Sequence, residues 1–204
     1  MRSILLTIVT TGLSLVLITG CGVTKPSKYY LLTPVEQSSS GTLRAPAKVL
    51  GIGPVAFPAY LDRPQIVLRS GGNQLDYAES HRWAEPLKAA FSHTLSEHLS
   101  IMLPLERTVI YPWSRSTVLD YQIIVNVSRF DADASGTVFL TADWEIIRSS
   151  DSKVMDQDKA TYTEAAGSVD YSAIVAAQSR ALEQLSRNIA TSISSASLAA
   201  DQPG

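Results

Sequence analysis

Two stretches in the middle of the chain alternate apolar and polar residues with a period of two, and they restrict the fold more than any other feature. In Leu119–Ser128 the residues Leu119, Tyr121, Ile123, Val125 and Val127 share one face, and in Thr137–Ile147 Val138, Leu140, Ala142, Trp144 and Ile146 do the same. Successive side chains of an extended strand point to opposite sides, so both stretches predict strands with one face on a core. Between them lies "DADASG", Asp131–Gly136, whose Asp, Ser and Gly suit a hairpin turn. Its D-x-D-x-S-G spacing imitates half of a calcium loop. The twelfth position is Ala142, where a bidentate Glu is needed, and strands rather than helices flank it.

A second period, near 3.6, marks two helices. Over Pro86–Leu103 the residues Leu87, Phe91, Leu95, Leu99 and Met102 form one stripe, with Pro86 suited to the first turn and Pro104 ending it. Over Asp170–Ile193 the stripe is Ile174, Ala177, Ala181, Leu185 and Ile189, with Asp170 as the cap and Glu183–Arg187 as an i,i+4 pair. Further strands are predicted at Tyr29–Leu32, Lys48–Phe57, and Gln65–Arg69 with Gln74–Tyr77 around "SGGN". A more polar one, Lys153–Glu164, suits a sheet edge. Glu36–Arg44 reads as a loop. Strands, helix, strands, helix in this order predict an α+β fold: an antiparallel or mixed β-sheet with two long helices packed on one face.

The lone cysteine, Cys21, stands at the end of an apolar segment. After Arg2, Ile4–Gly20 is an uncharged stretch of 17 residues. That run sits at the short limit for a membrane-spanning helix, and no dense positive flank follows it. A positive start, an apolar middle and small residues before a cut fit a secretory signal. Ile18-Thr19-Gly20-Cys21 resembles a bacterial lipobox. The resemblance implies cleavage before Cys21 and lipidation of its new N-terminus. Two or more acyl chains give stable anchoring where one does not. The alternatives are an ordinary signal peptide followed by a chance cysteine, or an uncleaved anchor. Gly22 is not Asp, and the sorting rule known for such lipoproteins then implies the outer membrane, facing the periplasm. The expected organisation is a signal peptide at 1–20, a lipidated tether at 21–28, one α+β domain at 29–197 and a flexible tail at 198–204.

Motifs for chemistry are sparse. His81, His93 and His98 show no metal-ligand spacing, and no metal site is expected. His93 and His98 read as partly exposed helix residues. Ser150–Lys153 spells S-x-x-K without its companion motifs, and "GIG" at Gly51–Gly53 is followed by Pro54 rather than a helix. No catalytic residue and no cofactor are expected beyond the lipid on Cys21. Without residues 1–20 the chain carries 16 basic and 19 acidic residues, a net of −3. The basic residues are scattered, which argues against nucleic-acid binding.

Two stretches remain, "FPAYLDRPQIVLR" at Phe57–Arg69 and "HRWAEPLKAAF" at His81–Phe91. In them Tyr60, Leu61, Arg63 and Trp83 are candidates for partner contact. The competing reading has Tyr60 and Leu61 plugging the end of the sheet and Trp83 stapling the helix start.

With the lipobox, "YYLL" at Tyr29–Leu32, "GIGPVAFPAYLDRPQIV" at Gly51–Val67, "RWAEPL" at Arg82–Leu87 and "FLTADWEI" ending at Ile146, the chain resembles the ABC-transport auxiliary lipoproteins, typified by PqiC. The resemblance implies a non-enzymatic lipid-transport role that maintains envelope integrity. Its expected partner is an MCE-domain transport protein anchored in the inner membrane, with a lipid anchor in the outer membrane and a homo-oligomeric collar as a further expectation. A structural or assembly lipoprotein and a periplasmic lipid carrier are the alternatives.

Overall fold

The computed structural model describes residues 26–34 and 48–200. The expectations for the signal peptide, Cys21, most of the tether, the loop 36–44 and residues 201–204 fall outside these residues. The strands are β1 Lys28–Tyr30, β2 Val49–Ala56, β3 Gln65–Gly71, β4 Gln74–Trp83, β5 Arg107–Ile110, β6 Tyr121–Asp133, β7 Thr137–Arg148 and β8 Lys153–Ala165. The helices are α1 Leu87–Met102 and α2 Tyr171–Ala200. They form one mixed eight-stranded sheet with both helices packed against its core face, an α+β fold.

β6 organises the sheet. Its whole length pairs antiparallel with β7, which pairs antiparallel with β8. That occupies one edge of β6, so both β2 and β3 must lie on the other. β2 pairs parallel with Tyr121–Asn126 and β3 parallel with Ala132–Asp133. The two strands therefore follow one another along the same edge, and the segment 57–64 spans the gap. β5 flanks β2, while β4 and then β1 flank β3.

The ladder of β6 shifts register between Val127 and Arg129. The extra residue at this bulge changes the parity of the strand. Before it, Tyr121, Ile123, Val125 and Val127 are buried; after it, Phe130 and Ala132 are. Asp131 is thereby placed on the opposite side from Phe130.

Several expectations are corrected in detail. The hairpin around "SGGN" pairs Gly71 with Gln74, a tighter turn than expected, and β4 runs on to Trp83. β6 begins at Tyr121, and Leu119 instead packs above Gly51, where a Cβ would come within 2.6 Å of Leu119 Cδ1 and 3.1 Å of the Trp113 ring. β5 was not foreseen: Arg-Thr-Val-Ile has no period of its own and forms by pairing with β2. α2 extends to Ala200, past Ile193. Asp170 caps it through the Ser172 amide at 3.0 Å, and the expected Glu183–Arg187 pair forms at 2.6 Å. At the β6–β7 turn Asp133 accepts the amides of Ser135 and Thr137. Gly136 has φ +81° and its α-carbon faces the Ser168 carbonyl, with no room for a side chain.

α1 buries more than its apolar stripe because α2 covers it as well as the sheet. His98 consequently is fully buried, whereas His93 is exposed. The Ser186 hydroxyl donates to the Leu182 carbonyl at 2.7 Å and accepts from His98 Nδ1 at 3.0 Å. Burial holds the imidazole below its usual range; nearby Glu183 opposes this and Arg187 adds to it. Below about pH 6.5 the unfolded chain binds a proton that the folded one refuses, so stability rises with pH there, by up to about 1.4 kcal/mol per pH unit. Urea unfolding between pH 5 and 7 is expected to show this slope, and His98→Gln to flatten it. An unchanged slope in that variant would contradict the assignment.

Candidate functional site

The segment 57–64 is built around a single 3₁₀ turn, Ala59–Leu61, closed by the Leu61 amide on the Pro58 carbonyl at 3.0 Å. Prolines at 58 and 64 restrict the backbone on both sides. The Trp83 amide donates to the Pro64 carbonyl at 2.7 Å and ties this segment to the end of β4. α1 starts four residues later, with Ala90 donating to the Pro86 carbonyl. Between the two segments lies an open groove of about 310 Å³, lined by Asp62, Arg63, Pro64, Trp83, Glu85 and Leu87 among others.

The four candidate residues divide between this groove and the core. Leu61 and Trp83 are buried at 2% and 5% exposure and belong to the main core. Trp83 still lines the floor of the groove beside Arg63. Arg63 is half-buried and holds its guanidinium 3.9 Å from the centre of the Tyr77 ring. Tyr60 turns inward, and its hydroxyl donates to Asp131 Oδ2 at 3.0 Å. The structure therefore joins Arg63 with Trp83 and separates Tyr60 from both.

Tyr60 leads to a cluster that sequence reasoning missed. Asp131 is fully buried and accepts Arg69 Nη2 at 3.1 Å and Arg129 Nε at 2.8 Å, in addition to Tyr60. Arg129 also covers the Phe139 ring at 3.9 Å. Burial, then the neighbouring Asp131 charge, pushes the Tyr60 phenol up to about 12. The four groups come from the 57–64 segment, β3 and β6 and fasten the gap between β2 and β3. Every oxygen of the carboxylate is engaged by the protein, which makes the cluster a clamp rather than a receptor. Only the "DADASG" motif pointed at Asp131, and it pointed to the turn.

The groove offers an apolar floor with one cation and the carboxylates of Asp62 and Glu85 at its rim. This suits capture of an extended segment or a side chain of a partner. Among the described residues no three of His, Cys, Asp and Glu converge as metal ligands. Ser150 lies in the exposed β7–β8 turn beside the Arg148–Asp151 ion pair. No described helix is long and apolar enough to cross a membrane.

Similar folds are known. A crystal structure of an uncharacterised protein is 22% identical, aligns over 83% of this chain and 99% of its own, and has a TM-score of 0.68. Protein XCC0632 from Xanthomonas campestris, of family DUF330, is 19% identical over 82% of this chain and 96% of its own, with a TM-score of 0.69. No curated protein matches the sequence. The sequence profile of one family spans residues 30–190, from β1 through most of α2, and on that match the chain belongs to the ABC-type transport auxiliary lipoprotein components.

Proposed function

We propose that the protein is a periplasm-facing, outer-membrane-anchored auxiliary subunit that docks an MCE-domain transport protein of the inner membrane and helps maintain envelope integrity. The observation that carries this reading is the family match across nearly the whole folded domain. Its anchor is a covalent lipid on Cys21, the only cysteine in the chain. The role is one of binding and positioning, without covalent chemistry. The groove at Arg63 and Trp83 and the edge strand β8 are its contact surfaces. A collar of several copies around the conduit is compatible with this role.

The test is purification of the acylated protein from envelopes in a gentle detergent, with co-purifying proteins identified by mass spectrometry. An MCE-domain protein in the eluate supports the reading. Its absence at native expression levels and after crosslinking overturns it. Within that experiment, Arg63→Ala is expected to weaken capture about tenfold, the scale of a well-seated interface arginine. The thermal transition should stay in place, since Arg63 is not a core residue. A lowered transition with unchanged capture would assign Arg63 to the plug instead.

A further inference from the structure

The edge strand β1, Lys28–Tyr30, runs on into Leu31 and Leu32, and after its exposed Lys28 this stretch carries large side chains on both faces. Together with the residues after it, the strand reads Tyr29-Tyr30-Leu31-Leu32. Tyr30 packs on the core and Leu32 is buried in it. Tyr29 and Leu31 point the other way and are 65% and 50% exposed. An edge strand on an open sheet face ordinarily carries polar or charged residues there. The pairing places Tyr29 directly beside Arg82 of β4, which is partly exposed.

This edge is held rigidly. The Tyr30 hydroxyl is 2.7 Å from His81 Nδ1, and the His81 ring stacks on Tyr171 at 3.9 Å. The Ala84 amide donates to the Tyr30 carbonyl at 2.9 Å, and the Thr33 amide to Ser179 Oγ at 3.2 Å. Tyr29 and Leu31 are thus presented on a fixed frame rather than on a loose terminus.

We propose that Tyr29, Leu31 and Arg82 form a membrane-contact surface that seats the domain on the phospholipid layer holding its anchor. The inference rests on the reading of Cys21 as the lipidated residue. From Cys21, the chain Gly22–Lys28 reaches at most about 25 Å when fully extended, so the root of β1 stays close to the bilayer. The chemistry matches that surface. A tyrosine places its ring in the headgroup region with its hydroxyl in water, and leucine enters the acyl boundary. An arginine can lay its stem along apolar surface and reach phosphate with its head. The surface would fix the tilt of the domain and so aim the rest of the molecule into the periplasm.

The test uses the full acylated protein in phosphatidylethanolamine–phosphatidylglycerol vesicles. Because acylation consumes the only cysteine, Tyr29→Cys, Leu31→Cys and the control Val154→Cys each add a single thiol. Val154 is 44% exposed and lies on β8, at the far side of the sheet. Each thiol is labelled with a nitrobenzoxadiazole dye, with and without nitroxide-headgroup lipid. Labels at 29 and 31 are expected to shift to the blue and lose most of their emission to the nitroxide, while the label at 154 keeps its own. Equal emission at all three positions, in protein whose intact mass shows acylation, overturns the surface and leaves the anchor standing. A blue shift without nitroxide quenching means that protein covers the patch, and also overturns it. An intact mass without acyl chains removes the anchor reading and this inference with it.

Discussion

Replacing Phe91 with alanine is expected to lower folding stability by about 4 kcal/mol. The ring is fully buried on α1 and lies edge-on to Phe57 at 5.2 Å and to Phe130 at 5.7 Å. It therefore joins three segments distant in sequence: the exit of β2, the first long helix, and β6 just past its bulge. Truncation removes the ring's transfer free energy and leaves a cavity that helix and sheet cannot close without bending. Urea unfolding followed by circular dichroism measures the loss, with an unchanged m-value as the sign that both end states are preserved. Phe91→Leu, which keeps most of the volume, should cost less than about 1.5 kcal/mol. A loss below about 1 kcal/mol for the alanine variant would show that the site collapses freely and that the three rings do not act as a joint.

What the sequence makes legible follows from the range of the interactions. The alternation in β6 and β7 and the stripes on α1 and α2 are local imprints of burial, and each produced its element. The family relationship is carried by order and spacing along nearly the whole domain. β5 left no imprint, because Arg107–Ile110 becomes a strand only by pairing with β2. His98 could not be placed from α1 alone, since the surface that buries it belongs to α2, with Ser186 88 residues away. The same reason limits the candidate site. Arg63 and Trp83 share a groove because β3 and β4 pair, which the hairpin signal indicates. Trp83 and Leu61 are nevertheless buried, and an aromatic or aliphatic side chain in a proline-rich segment reads the same whether it plugs a core or meets a partner.

The clamp at Asp131 supplies the second large effect. Asp131→Ala is expected to cost about 3 kcal/mol, the low end for removing one partner of a buried ion pair, because its arginines keep some access to water. Their side chains are 26% and 28% exposed, whereas Asp131 has none. The alanine leaves Arg69 and Arg129 facing each other without a counter-charge and removes the acceptor of the Tyr60 hydroxyl. Tyr60→Phe deletes only that last bond and should cost about 1 kcal/mol. Because the two changes share one hydrogen bond, the double variant should be less destabilised than the sum of the singles. Simple additivity would mean that Tyr60 is held by its packing alone. The location of the clamp gives the measurement a second use. It fastens the 57–64 segment across the gap between β2 and β3, and that segment forms one wall of the Arg63 groove. If the groove docks the transport partner, Tyr60→Phe should weaken capture although the hydroxyl faces away from the groove. Capture unchanged by this variant would locate the docking surface elsewhere on the domain, with β8 the next to test.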